Sequence, residues 1–145
     1  MSDIPISSGQ VLGNVGGVLQ GVALSSAVGG IYETINTFAS FDSGKQGGIA
    51  VYIPYSCKII NILTQTIETL SGTDNATLTF IDSCASTTIG TLTIPMGSVQ
   101  NNFNSLTNIN YVYIPICGTV STIGIAPQKT TVGGYVSISI VVQRI

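Results

Sequence analysis

Residues 135–145 read YVSISIVVQRI, and within them Val136, Ile138, Ile140 and Val142 stand two apart. A spacing of two puts all four side chains on one face of an extended strand, whereas a helix would spread them around its circumference. The same rhythm recurs along most of the chain. ATLTFID (76–82) sets Ala76, Leu78 and Phe80 against Thr77, Thr79 and Ile81. IYETINTFASF (31–41), IAVYIPYS (49–56), CKIINILTQTIETL (57–70), TTIGTLTIP (87–95), INYVYIPI (109–116) and GTVSTIGIAP (118–127) also read as strands or strand pieces. Each is rich in the β-branched Ile, Val and Thr that fit a pleated, half-buried surface. Beyond residue 30 no stretch shows helical amphipathicity. About eight short strands separated by turn signals predict an all-β fold, an antiparallel β-sandwich of jelly-roll type.

The punctuation between the strands is as informative as the strands. DSGKQGG (42–48) is rich in turn residues. SGTDN (71–75), with its Gly and Asp/Asn, reads as a hairpin turn, and GSVQNNFNSLTN (97–108) as a polar loop. One phrase occurs twice, VYIPYSC at 51–57 and VYIPIC at 112–117. Proline removes a ladder donor, so Pro54 and Pro115 are expected to end or bend a strand at a corner between strands. The cysteine follows at a different offset in the two copies, which speaks against a symmetric pair of ligands.

Residues 1–30 are written differently. From Ile4 to Tyr32 there is no charge, and 9–30 contain seven glycines. Val11, Val15, Val18 and Val22 have helical spacing, and Gly13, Gly17 and Gly21 form overlapping GxxxG steps, as in membrane helices. Gln10, Asn14, Gln20, Ser25 and Ser26, the glycine density and the lack of flanking bases or Trp weigh against a membrane span. In water each helical Gly costs about 1 kcal/mol relative to Ala. The segment therefore reads as an arm, extended or partly helical, with 31–145 as the β-sandwich domain. Val11, Leu12, Val15, Val18, Leu19 and Val22 are the candidate residues of an assembly interface on that arm.

Composition agrees with an assembling protein. Of 145 residues only 7% are charged, with a net charge of −2, and the mean hydropathy is +0.51. Charge keeps free monomers apart, so its scarcity suits a surface covered by copies or partners. Lys45, Lys58, Lys129 and Arg144 form no basic stripe or polybasic cluster, which excludes the usual nucleic-acid and anionic-lipid surfaces. The start, MSDIPISSGQ, has no basic segment of the kind that opens a secretory signal.

Catalytic constellations are missing in the same way. The chain has no histidine, so His-dependent triads and facial metal triads drop out. Cys57, Cys84 and Cys117 form no CxxC and fall short of a four-ligand zinc site. They read as free thiols acting as small apolar residues, with a Cys57–Cys117 bridge as the alternative. Lys58 adjoins Cys57, but neighbours on a strand point to opposite faces, so it is no activating base. Asp74 reads as a turn former, and Asp74 or Asp82 as weak calcium candidates outside any acid-rich loop. NAT at 75–77 matches a glycosylation sequon by chance at a strand start. No enzyme, cofactor or metal is expected.

The stretch AVYIPYSCKIINILTQTIETLSGTDNATLTFID, followed by GTLTIP, INYVYIPI and VSISIVVQRI, resembles the small single jelly-roll proteins of bacteriophage virions, over residues 48–145. That resemblance implies a capsid-associated decoration, spike or fibre protein, usually a homotrimer. It further implies contact with other capsid proteins and a place in the virion after assembly in the host cytoplasm. Two other readings compete. One is a surface filament subunit that donates its arm as a strand to the next subunit. The other is a carbohydrate- or receptor-binding module using Tyr32, Tyr52, Tyr55, Tyr111, Tyr113 and Tyr135.

Overall fold

A computed structural model describes residues 10–15, 18–23 and 31–145, and every regular element among them is a strand. β1 (Gln10–Val15) and β2 (Val18–Ala23) pair only with each other, antiparallel, with Val11 opposite Val22 and Val15 opposite Val18. Helix is thus not the form of these two segments. Gly13 and Gly21 would weaken a helix, and the two residues between the strands in sequence, Gly16 and Gly17, are a preferred hairpin dipeptide.

The remaining strands form two antiparallel sheets. β3 (Tyr32–Ser40), β11 (Tyr135–Arg144), β5 (Cys57–Glu68) and β8 (Phe103–Ser105) lie in that order, with β9 (Tyr113–Ile114) also on β5. The second sheet runs β4 (Ile49–Ile53), β10 (Ser121–Gln128), β6 (Ala76–Asp82), β7 (Thr87–Ile94). The pairs β3·β11, β4·β10, β5·β8/β9 and β6·β7 are nested, first with last, as in one long hairpin rolled on itself. That is the double Greek key of a jelly roll. β8 and β9 fill one strand position. Between them the chain stays near the β5 edge, where Leu106 N donates to Ile62 O at 2.9 Å and Ile59 N to Val112 O at 2.8 Å.

The core lies between the sheets and follows the two-residue rhythm. Val136, Ile138, Ile140 and Val142 are fully enclosed, as are Ala76, Leu78 and Phe80 from the facing sheet. Burial of each larger aliphatic or aromatic side chain contributes roughly 1.5–3 kcal/mol. β5 keeps its inward face only by bulging. Val141 lies opposite Asn61 but Val142 opposite Ile59, so Ile60 is skipped and left exposed. Without that bulge, Cys57 and Ile59 would face solvent whenever Ile62, Thr64 and Thr66 faced the core.

Four expectations need correction. SGTDN is no hairpin turn, because β5 and β6 belong to different sheets and the segment is a corner between them. The loop at 97–108 holds β8, and INYVYIPI is strand only at Tyr113–Ile114. Cys84 and Cys117 are joined by a disulfide with a Cα–Cα distance of 6.1 Å. Neither the three-free-thiol reading nor a Cys57–Cys117 bridge holds. Topology explains the pairing: β6 and β10 are neighbours, so the loop after β6 and the loop before β10 emerge at the same end. Cys57 is the free cysteine and is fully buried.

The two proline phrases lie side by side. Pro54 follows β4 where the chain crosses to β5, and Pro115 follows β9 where it leaves for β10. Cys57 pairs with Ile114, and Ile116 N donates to Ser56 Oγ at 2.9 Å. The buried Ser121 hydroxyl lies 2.8 Å from Tyr55 O and 3.1 Å from Ile114 O, between the two corners.

Candidate assembly surface

Each sheet turns its second face outward, and those faces carry very little charge. On the four-stranded sheet the outward rows are Gln128–Thr77–Thr93, Ala126–Thr79–Thr91 and Ala50–Gly124–Ile81–Thr88, with Tyr52 beside Thr122 at the end. None of these residues is ionisable. Thr79 and Thr91 hydroxyls meet at 3.4 Å across the strands. Tyr52 is 66% exposed.

The larger sheet shows the same economy with more aromatic area. Its outward rows run Phe38–Ser137–Gln65–Phe103, Asn36–Ser139–Leu63–Ser105 and Tyr32–Gln143–Lys58–Tyr113. Phe38 stacks on Tyr135 with ring centroids 5.6 Å apart, and Ser139 Oγ donates to Asn36 Oδ1 at 2.8 Å. Phe103 is 69% exposed. Lys58 stands over the Tyr113 ring at 5.7 Å, on the opposite side of β5 from buried Cys57. Single exposed apolar residues are ordinary, but a sheet face holding several aromatics and one lysine is the composition of an interface.

The six tyrosines build no common platform. Tyr52 lies on one sheet, Tyr32 and Tyr113 lie on the other, and Tyr135 is engaged by Phe38. Tyr55 donates to Glu33 and lies under Arg144, whose guanidinium is 5.0 Å from its ring. Tyr111 packs against the core. Burial and the nearby Asp82 carboxylate raise its ionisation above the ordinary tyrosine range.

The ionisable groups away from the faces serve the fold. Asp74 accepts from Lys129 Nζ at 3.0 Å, from Thr130 N at 2.7 Å, from Thr131 N at 2.9 Å and from the Thr131 hydroxyl. The Thr131 hydroxyl and then Lys129 hold its carboxyl well below the usual carboxylate range. The Lys129 side chain is fully enclosed, with Gln46 bonded to its backbone N–H and C=O at 2.8 and 2.9 Å. This knot joins the 71–75 corner to the 129–134 corner. Asp74 is therefore a clasp between loops as well as a turn residue, and a signal for it existed in the sequence: Lys129 is a base inside an otherwise apolar and hydroxyl-rich run.

Asp82 went unrecognised as a structural residue in the sequence. It is fully buried at the end of β6, where its Oδ1 accepts from Cys84 N at 3.1 Å and caps the turn that carries the disulfide. Its Oδ2 has no hydrogen-bond partner. Burial, and secondarily this carboxylate, pushes the Cys57 thiol up to about 11. A thiol so held stays protonated and is not a nucleophile at neutral pH. Among the described residues no group of three His, Cys, Asp or Glu side chains is placed to hold a metal ion. No helix of the described residues is long and apolar enough to cross a membrane.

No protein-family model matches the chain, and no curated protein sequence matches it. Solved structures similar to it include two from viral capsids and one from a pilus. The cyanophage Pam1 capsid asymmetric unit is similar over 79% of this chain and 82% of its own, at 10% identity and a TM-score of 0.45. The infectious bursal disease virus VP2 subviral particle is similar over 92% of this chain and 37% of its own, at 16% identity and 0.37. The disulfide-linked pili of Bacillus endospore appendages cover 80% and 93%, at 14% identity and 0.32. At TM-scores between 0.32 and 0.45 these likenesses assign no role to this chain.

Proposed function

We propose that the chain is a non-enzymatic structural protein of a virion, self-assembling as a homotrimer and attached to the capsid as a decoration, spike or fibre component. The observation that carries this reading is the near absence of charge from both outer sheet faces, where Tyr52, Phe38 and Phe103 stand exposed. Such faces associate through burial of apolar area and cross-subunit hydrogen bonds, with little to hold copies apart. The arm, through Val11, Leu12, Val15, Val18, Leu19 and Val22, makes the contact with the larger shell. Assembly in the host cytoplasm and residence in the virion follow from that role. Sedimentation and electron microscopy of the purified full chain test it. Discrete trimers or shells are expected, and a chain that stays monomeric at every concentration overturns it.

A second reading, a cell-surface filament subunit, is favoured by one observation. The Cys84–Cys117 disulfide is exposed, and disulfides persist in oxidising surroundings such as cell and virion surfaces. Long unbranched polymers in the same micrographs would select it over the capsid reading.

A further inference from the structure

The four sheet edges are not alike. β8 and β9 are three and two residues long, so one edge is interrupted. β4 is followed at once by Pro54. β7 bulges between its pairings with Phe80 and Ile81, and the loop after β8 lies against it, with Asn110 N donating to Ile89 O at 2.8 Å. Short strands, proline, bulges and covering loops are the devices by which sheets avoid pairing with other chains.

β3 has none of them. Its nine residues, YETINTFAS, pair with β11 in unbroken register on one side. On the other side no described residue hydrogen-bonds to its backbone. It holds no proline, no lysine or arginine and no bulge, and its one charge, Glu33, is engaged by Tyr55. A nine-residue free edge of this kind is a template for another strand.

The chain also holds a pair of strands in need of one. β1 and β2 form a two-stranded sheet with six residues on each side. An isolated two-stranded hairpin is marginal in water, and a third strand is what stabilises it. Neither strand contains a charge. Within one copy the hairpin and the β3 sheet are separate sheets, although the two segments are close in sequence.

We propose that the β1–β2 hairpin of one copy adds to the free edge of β3 in a second copy, continuing the larger sheet across the subunit boundary. The proposal rests on the assembly reading above and names its acceptor strand. Main-chain bonds supply the pairing, and Glu33 meets no like charge on either hairpin strand. The interface is heterologous, so repetition closes into a ring or continues as a polymer according to the rotation between copies.

Amide hydrogen exchange on the full chain, followed residue by residue in dilute and in assembled samples, tests it. Alternate amides of 32–40 should slow on the order of tenfold or more on assembly. That gain should vanish in Thr34→Lys with Asn36→Lys, which charges the edge strand. It should vanish equally in Leu12→Pro, which removes a ladder donor from β1 and leaves 31–145 unchanged, so misfolding of the first variant does not decide the matter. Assembly with unchanged exchange at 32–40 overturns the edge pairing and leaves the assembly reading standing. Protection present at every dilution and lost in Leu12→Pro shows the hairpin seated on its own β3, which overturns the exchange between copies. Absence of any assembled species overturns both readings.

Discussion

Replacing Asp74 by Asn should destabilise the protein far more than replacing Lys129 by Met, although the two residues form one ion pair. The Lys129 side chain is wholly enclosed and donates to Asp74 Oδ1, Asp74 O and Thr131 Oγ1, each at 3.0 Å. In Asp74→Asn the ammonium keeps neutral acceptors but loses its counter-charge, and the new amide presents a donor where a carboxylate oxygen accepted from Thr130 N. Stranding an enclosed lysine charge costs about 3 kcal/mol, the lower end of the range for buried pairs because water reaches the carboxylate side. In Lys129→Met the charge is gone and the stem is retained, while the two backbone N–H donors to Asp74 remain. The cost of that variant should stay below about 1.5 kcal/mol. The double variant should then be more stable than Asp74→Asn alone, a coupling that only shared contact produces. Urea unfolding followed by circular dichroism at neutral pH measures all three. An Asp74→Asn variant that unfolds at the wild-type midpoint, or a Lys129→Met variant that is the weaker of the two singles, would refute the clasp.

Further outcomes follow from the same structure. Asp74 has a lower pKa folded than unfolded, so its contribution is complete above about pH 4 and is lost as pH falls below that; acid titration of unfolding should show this slope reduced in Asp74→Asn. Cys84→Ser with Cys117→Ser opens a covalent loop with a sequence separation of 33, worth about 3.8 kcal/mol by chain entropy. Melting should fall by roughly 12 °C, and an unchanged melt in reductant would contradict the pairing. Thiol counting should find no reactive thiol in the native chain, one in denaturant without reductant and three after reduction. Thr64 and Thr66 bury hydroxyls without partners, so Thr64→Val and Thr66→Val should each raise stability by about 1 kcal/mol in the same urea assay; a loss would reveal a hidden bond.

The strands were readable because a half-buried sheet imposes a two-residue rhythm that β11 and β6 follow without interruption. Pairing was not readable, since the rhythm says which face is buried and nothing about which strand lies alongside. SGTDN has good hairpin chemistry, yet β5 and β6 separate into different sheets there. The cysteines show the same limit. Cys84 and Cys117 meet because β6 and β10 are neighbours, a fact of topology with no trace in local spacing. The helical spacing of Val11, Val15, Val18 and Val22 misled for a different reason. Valines at those positions also pair across a six-residue hairpin, and only the glycines between them discriminate. For the candidate surface, low charge was visible in composition, but its placement on two whole sheet faces required the register.

The most direct test is the mass of the purified full chain across a wide concentration range by sedimentation velocity. Self-assembly through uncharged faces predicts a trimer or larger species that persists in high salt, because apolar association is not screened. A single monomeric boundary at every concentration, in low and high salt alike, would contradict it.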